Sequence, residues 1–237
     1  MKKDFAALES VLGVTFKDKD LLTQAFVHRS YLNENKDFHL DHNERLEFLG
    51  DAVLELVVTD YLYANYPNPE GELTNWRSAL VNSKKLSEIA KRLGFEAYLY
   101  LSHGEKKDTG RAREYILGNT MEAVIGSIYL DQGYEAARVF ILKNVLSELK
   151  EILELGSHID PKSRLQEVAQ AEMRVTPEYR VMSEEGPDHA KKLTVAVFIG
   201  GKKFGSGTGF SKQAAQTEAA QMALEKGKWN SPKPTEA

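Results

Sequence analysis

The first 152 residues carry an almost unbroken helical pattern, which limits the possible folds more than any other feature. Apolar residues recur at three- and four-residue intervals in successive segments, each bounded by a capping residue or a glycine. These segments include one after Asp18 or Asp20, a long run from Arg45 to Tyr63, and two that end at Gly94 and Gly133. No period-two alternation competes with them, so we predict an all-α domain over residues 1–152.

The pattern changes at residues 153–159, which contain Gly156 and Ser157 and which we predict to be a linker. In residues 160–228 a helical segment, three strand-like runs and a second helical segment follow one another. This order predicts a small α+β module of the type α-β-β-β-α. Residues 229–237 contain two prolines and little to bury except Trp229, so we expect a disordered tail.

Composition excludes several kinds of site. The chain contains no cysteine, which excludes disulfides, cysteine-ligated zinc and thiol nucleophiles, and which fits a reducing compartment. No uncharged run is long enough to cross a bilayer, and acidic residues interrupt the N-terminal segment where a signal peptide would be apolar. We therefore expect a cytoplasmic protein with no membrane partner.

Charge is distributed unevenly along the chain. Residues 160–228 hold 11 lysines and arginines against 9 acidic residues, whereas residues 1–159 hold 19 against 25. An acidic domain that approaches a polyanion needs either bridging cations or a separate basic module. The two parts of the chain are therefore suited to different tasks.

A stripe of carboxylates runs along the predicted helix that contains NERLEFLGDAVLEL, residues 43–56. At 100° per residue, its four acids fall within about 80° of one face, while the rest of the helix is largely apolar. They are Glu44, Glu47, Asp51 and Glu55. Such a stripe is usually a solvated face, but on a nearly buried helix we expect it to lie in a groove, where cations such as hydrated Mg²⁺ offset its charge.

A glycine in the same helix and two polar residues in a second helix extend this interpretation. Gly50, in the middle of the same helix, costs about 1 kcal/mol relative to alanine, which predicts that another backbone packs closely there. In a second helix, Asn119 and Glu122 lie three residues apart on one face among apolar neighbours. An asparagine in such a position is often only a helix cap, whereas a glutamate is harder to explain in that way. Two helices thus offer oxygen ligands from apolar surroundings.

Four blocks of sequence occur in a characteristic order: FVHRSYLNEN, HNERLEFLGDAVL, PEGELTNWRSALVN and ILGNTMEAVIGSIYLDQG. Together they resemble bacterial ribonuclease III, and the second block is similar to the signature of that family. Residues 160–228 are similar to a double-stranded RNA-binding domain. The resemblance spans almost the whole chain.

This resemblance implies an all-helical, homodimeric endonuclease that hydrolyses both strands of double-stranded RNA with a divalent metal. It implies products with 5′-phosphates and short 3′ overhangs, and a role in processing ribosomal and messenger RNA. Mg²⁺ is the implied cofactor, Mn²⁺ is expected to substitute for it, and no organic cofactor is implied. Metal ions can activate water and stabilise the leaving oxygen, so the chemistry requires no histidine or serine nucleophile.

The resemblance also implies a set of metal ligands. The metal-binding carboxylates of the family correspond to Glu47, Asp51 and Glu122. A fourth family position, normally an aspartate, is occupied by Asn119. The carboxamide keeps an oxygen but removes a negative charge, so we expect weaker metal binding while the geometry survives.

Other family positions imply supporting roles. Acids that support the catalytic site, from the same subunit or from the partner, correspond to Glu44 and Glu70. Phe48 corresponds to an aromatic residue that enters a socket of the partner subunit. We expect the nearby histidines, His28 and His42, to be structural.

The RNA contacts implied for the C-terminal module lie on three segments. They are the first helix at Gln166 and Glu167, a loop at His189, and the start of the last helix at Lys212 and Gln213. A helix and a loop can contact 2′-hydroxyls in two successive minor grooves, while a lysine at a helix start faces the phosphates between them. The family usually has a lysine pair at the last position, so we expect weaker binding and a flatter salt dependence.

Two functions stay open at this point. One is the metal-dependent nuclease, and the other is a double-stranded RNA-binding dimer whose nuclease activity is impaired or lost because Asn119 replaces the family aspartate. The retained acids favour the enzyme, because buried carboxylates without a metal would destabilise the core. A DNA-directed nuclease fits less well, since a module of this kind distinguishes RNA through the 2′-hydroxyl.

Overall fold

The computed structural model describes residues 3–107, 109–155, 161–187, 191–227 and 229. The chain divides into two compact units, Met1–His158 and Ile159–Ala237, each with a hydrophobic core of its own. None of the helices described is both long enough and apolar enough to span a membrane.

The regular elements described in the first unit are helices, apart from an isolated bridge between Val27 and Tyr100, which confirms the predicted all-α class. Its helices are α1 (Ala6–Leu12), α2 (Lys19–Ala25), α3 (Arg29–Glu34), α4 (Glu44–Asn65), α5 (Glu70–Val81), α6 (Ser83–Arg92), α7 (His103–Lys107), α8 (Arg111–Gln132), α9 (Tyr134–Asn144) and α10 (Leu149–Leu155). Asp18 is the cap of α2, where its side chain accepts a hydrogen bond from the Asp20 amide. Helix α10 extends to Leu155, so the first three residues of the predicted linker are helical, because Leu153 packs against the core.

Helices α4 and α8 cross at the centre of this unit with their backbones in contact. A Cβ atom at Gly50 on α4 would overlap the backbone carbonyl oxygen of Glu122 on α8. A Cβ atom at Gly126 on α8 would overlap the carbonyl oxygen of Leu46 on α4. The close approach predicted from Gly50 is therefore confirmed, and it is reciprocal.

Helix α4 buries one face rather than nearly its whole circumference, and in this respect the sequence interpretation was wrong. Leu54 and Val58 are fully buried, but Phe48 is 81% exposed, Leu56 57% and Tyr63 82%. These three exposed residues lie seven or eight positions apart, so they share a second apolar face of α4. Helical periodicity identified the apolar residues but not which of them the rest of the chain covers.

The second unit has the predicted α-β-β-β-α order. It consists of α11 (Pro161–Met173), β1 (Glu178–Glu185), β2 (Lys192–Ile199), β3 (Lys202–Gly209) and α12 (Lys212–Lys226). The strands form an antiparallel sheet in the order β1-β2-β3, and residues from both helices and from β2 form its core. Gly205 and Gly207 on β3 leave room for the backbone of α12, which lies directly against them.

Trp229, which we assigned to a disordered tail, instead packs on the second unit. The Trp229 ring stacks on Phe204 with 5.4 Å between ring centroids, and its indole N–H donates a hydrogen bond to the Ala223 carbonyl at 3.1 Å. These contacts bury part of the indole, which explains why this residue belongs to the folded unit. Residues 230–237 lie outside the described part of the chain.

The α4–α8 contact gives a direct test of the fold. We expect Gly50→Ala to lower the free energy of unfolding by at least ~2 kcal/mol, because the added methyl group meets a backbone carbonyl that cannot move away. Gly71→Ala is the matched control, since nothing lies within 4 Å of its Cβ position in α5, and we expect it to be neutral or to stabilise by up to ~1 kcal/mol. Urea denaturation measures both changes, and equal effects would contradict the close crossing.

Candidate active site

The α4–α8 crossing places three carboxylates close enough to repel one another. Glu47 and Asp51 lie one turn apart on α4, and Glu122 lies at the contact point on α8. Burial, followed by repulsion from Asp51 and Glu47, raises the pKa of the Glu122 carboxyl to about 8. We call Glu47, Asp51 and Glu122 the carboxylate cluster.

The pKa of Glu47 is set by opposing interactions. Burial raises its pKa most, repulsion from Glu44 and from Asp51 raises it further, and a hydrogen bond from the Asn119 side chain lowers it. Asn119 lies eight residues into α8, so it is not the cap of that helix. Its carboxamide instead contacts the one cluster carboxylate that is nearest to Glu44.

No lysine or arginine neutralises the cluster within the described residues, although acids beside it have such neighbours. Glu55 lies 3.0 Å from Arg77, and Glu44 lies 3.7 Å from Arg29. The same residues contain no group of three or more acidic, histidine or cysteine side chains that is already arranged to hold a metal ion. The donor chemistry nevertheless fits a divalent cation, because hard oxygen ligands that repel one another are what such an ion binds and neutralises.

A polar cavity of about 490 Å³ adjoins the cluster. Its lining includes Arg29, Ser30 and Asn33 of α3, together with Glu44, Glu47 and Asn119. The α3 residues belong to the FVHRSYLNEN block, but sequence reasoning assigned no role to them, because nothing in the chain order shows that α3 lies beside the acids of α4.

His28 also lines this cavity and has the structural role that we expected for it. Its ring nitrogen Nδ1 accepts a hydrogen bond from the Ser30 amide at 3.3 Å and so caps α3. Burial lowers the pKa of His28, so the ring is neutral at physiological pH. His42 lies 3.7 Å from Glu44, which is too long for a hydrogen bond.

Glu70 lies apart from the carboxylate cluster in a single chain. It is the first residue of α5 and lines a second cavity of about 580 Å³ with Leu62, Tyr63 and Tyr66 at the end of α4. Asp51 precedes Tyr63 by 12 residues, which corresponds to roughly 18 Å along the helix. Glu70 therefore does not join the cluster within one chain.

The residues implied in RNA binding lie at exposed positions of the second unit, as far as the structure describes them. Gln166 and Glu167 are exposed on α11, and Lys212 and Gln213 are the exposed first residues of α12. The Ser211 side chain caps α12 by accepting a hydrogen bond from the Ala214 amide. His189 lies outside the described residues.

The fold and the site together define a class of protein. Its first domain is helical and carries a carboxylate cluster where two helices cross, as in a metal-dependent nuclease, and its second is an α-β-β-β-α module of the kind that binds RNA. Comparison with known proteins agrees, since the Ribonuclease-III-like family matches residues 18–149 and the double-stranded RNA binding motif matches residues 161–226. The chain belongs to the ribonuclease III family and is an endoribonuclease of that type.

Individual relatives match the chain over most of its length. It is 44% identical to Ribonuclease 3 of Chloroflexus aurantiacus over 94% of this chain and 92% of that protein. It is 46% identical to Ribonuclease 3 of Streptococcus thermophilus over 92% of this chain and 95% of that protein. A structure of the nuclease domain of Campylobacter jejuni ribonuclease III matches with a TM-score of 0.55 and 39% identity, over 61% of this chain and 97% of that chain. That structure was described for flexibility in a region involved in dimer formation of the Campylobacter protein.

The pKa of Glu122 predicts how stability depends on pH without metal. The folded chain holds a proton on Glu122 up to about pH 8, whereas the unfolded chain loses it near pH 4.5, so stability falls as pH rises between these values. In a chelating buffer we expect Glu122→Gln to be more stable than the parent at pH 8, by about 1–3 kcal/mol, and nearly equal to it at pH 5.

Chemical denaturation at both pH values measures this difference. Glu135→Gln is the control, because Glu135 is exposed on α9 and lies 3.6 Å from Arg138. If Glu122→Gln and the parent had equal free energies of unfolding at both pH values, charge repulsion in the cluster would not destabilise the fold.

Proposed function

We propose that this chain hydrolyses phosphodiesters in both strands of double-stranded RNA with bound divalent metal, leaving 5′-phosphates and short 3′ overhangs. Its substrates in the cytoplasm include ribosomal and messenger RNA precursors. The observation that carries the proposal is the carboxylate cluster at the α4–α8 crossing of a ribonuclease III family member. No arginine or lysine neutralises this cluster in the described residues, which leaves its charge available to a cation.

Glu47, Asp51 and Glu122 would hold the metal. When bound, the metal lowers the pKa of a water and stabilises the charge that develops on the leaving 3′ oxygen. Mg²⁺ suits such oxygen ligands, and Mn²⁺ can replace it. Asn119 donates a hydrogen bond to Glu47 and so positions that carboxylate, in place of the additional negative charge that an aspartate would bring.

The alternative of an RNA-binding dimer without nuclease activity has no support in these observations. Burial and repulsion raise the pKa of Glu122 to about 8, so this carboxylate destabilises the fold when no cation is bound. An uncharged side chain would relieve the repulsion in a chain that served only to bind RNA. The family match covers the nuclease part as well as the RNA-binding part.

We further propose that two copies of the chain form a homodimer through α4. Phe48, Leu56 and Tyr63 lie on one exposed apolar face of that helix, and contiguous exposed apolar surfaces often mark sites of protein–protein contact. The cavity lined by Leu62, Tyr63 and Tyr66 is apolar enough and large enough to receive the partner's Phe48. Glu70 lines the same cavity, so in the dimer each Glu70 supports the carboxylate cluster of the other subunit. Glu44 supports the cluster of its own subunit, because it lines the polar cavity together with Glu47.

The second unit would bring the duplex to the nuclease. Gln166, Glu167 and His189 contact 2′-hydroxyls in successive minor grooves, and Lys212 and Gln213 face the phosphates between them. The proposal rests on the family match and on the exposure of the four described residues. With one lysine at the start of α12, direct phosphate neutralisation is small, and the affinity depends only modestly on salt.

The cluster is tested by Glu122→Gln. We expect this substitution to lower the rate of cleavage of a long RNA duplex at least 100-fold while duplex affinity stays within about twofold, because Glu122 faces the cluster and lies on the nuclease unit rather than the RNA-binding unit. Single-turnover cleavage in Mg²⁺ and a binding titration in chelator measure the two properties on the same preparation.

Glu135→Gln is the matched control for this experiment and should cleave at the parental rate. Cleavage by Glu122→Gln near the parental rate would move the catalytic site elsewhere. Loss of duplex binding in the same variant would show instead that the substitution disturbs the whole chain.

The dimer is tested by Phe48→Ala. Removal of a ring that fills a partner cavity should cost on the order of 3–5 kcal/mol of association free energy, which shifts the dimer to monomer at low micromolar concentration. Analytical ultracentrifugation measures the equilibrium, with Val139→Ala as the control, because Val139 is 59% exposed on α9. A monomeric parent protein would refute the dimer.

A further inference from the structure

The face of α8 that carries the catalytic residues continues toward the start of the helix. Tyr115 precedes Asn119 by four residues, and Arg111 precedes Tyr115 by four, so the three side chains follow one another along the face that ends at Glu122. From Glu122 to Tyr115 the helix rises about 10 Å, which corresponds to only a few nucleotides of an RNA strand. A duplex that reaches the carboxylate cluster therefore passes beside Tyr115 and Arg111.

The two side chains are already paired with each other. The guanidinium carbon of Arg111 lies 5.9 Å from the centre of the Tyr115 ring, and Tyr115 is 51% exposed. Tyr115 does not belong to the buried core of the nuclease unit, so its ring is accessible to a ligand. This contact keeps the guanidinium beside the ring, and Arg111 as a whole is exposed, so its N–H groups are accessible.

Arg113, the next arginine on the helix, differs from Arg111 in burial and in hydrogen bonding. Arg113 is half buried, and its side chain donates a hydrogen bond of 2.7 Å to the carbonyl of Glu105. Arg111 is exposed, and the contact that the structure gives it is the Tyr115 ring. Arg113 therefore ties the segment before α8 to that helix, whereas Arg111 stays accessible to a ligand.

We propose that Arg111 and Tyr115 form a substrate-positioning pair that grips the RNA strand beside the scissile bond. This proposal rests on the nuclease function proposed above. The Arg111 guanidinium donates two hydrogen bonds to a backbone phosphate of the strand, and the Tyr115 ring packs against the adjoining ribose. The pair does not touch the reacting atoms, so it sets the position of the strand relative to the carboxylate cluster.

The chemistry of the pair suits a phosphate on a strand rather than a free anion. A guanidinium binds a phosphate through two parallel N–H groups, which defines direction as well as charge. The acids of the cluster lie on the same face and would repel an isolated anion, but a duplex held by the second unit brings several phosphates at once. An exposed ring next to that phosphate contacts sugar, because the bases of a duplex are stacked inside it.

The test compares Arg111→Gln, Tyr115→Ala, Tyr115→Phe and the Arg111→Gln/Tyr115→Ala double variant in steady-state cleavage of a long RNA duplex at several salt concentrations. Arg138→Gln is the matched control, since it removes the same charge from a partly exposed position on α9. Thermal unfolding of each variant shows whether the fold is kept, and both substitutions lie at exposed positions of α8.

We expect Arg111→Gln to raise KM about three- to tenfold with kcat changed less than twofold, and to flatten the slope of log KM against log salt by about one unit. Tyr115→Ala should have a similar effect on KM, whereas Tyr115→Phe keeps the ring and should behave as the parent. The double variant should raise KM by less than the product of the two single effects, because the Tyr115 ring also holds the Arg111 guanidinium.

Two results would overturn the inference. One is a KM and a salt slope for Arg111→Gln that match those of Arg138→Gln, and the other is additive effects of the two single substitutions. A parent protein that cleaves duplex RNA while either result holds refutes the positioning pair and leaves the proposed function intact. A parent protein that does not cleave refutes the proposed function and the pair together.

Discussion

The contact between the backbones of α4 and α8 is the constraint on which the rest of the site depends. Gly50 lies against the carbonyl of Glu122, and Gly126 lies against the carbonyl of Leu46, so no side chain separates the two helices at their crossing. This approach places acids from two distant parts of the sequence side by side. Because helices are rigid over a few turns, the spacing of the carboxylates is fixed by the crossing and needs no loop to define it.

The same contact imposes a cost that gives the site its chemistry. Carboxylates brought together away from full solvent repel one another, and the raised pKa values of Glu122 and Glu47 express that cost. A divalent cation held by the cluster would offset this cost, and metal binding would then stabilise the crossing. Asn119 moderates the strain by donating a hydrogen bond to Glu47, and its carboxamide adds no negative charge of its own.

Much of the fold follows from local patterns, whereas the site depends on contacts between distant segments. The caps at Asp18 and Ser211, the helical unit and the three strands are set by residues within a few positions of each other. Gly50 even indicated the helix crossing. The exposure of Phe48, the cavity beside α3 and the place of Glu70 depend on which surfaces the rest of the chain covers, and no periodicity records that.

The central claim is that the carboxylate cluster binds divalent metal, and direct Mn²⁺ binding to the full-length chain in the absence of RNA tests it without reference to activity. Electron paramagnetic resonance distinguishes free from bound Mn²⁺ during a titration. The account predicts saturable binding that Asp51→Asn weakens at least tenfold and that Asn119→Asp strengthens, because these substitutions remove and add one negative charge at the cluster. Binding that is absent from the parent, or unchanged by Asp51→Asn, would contradict the account.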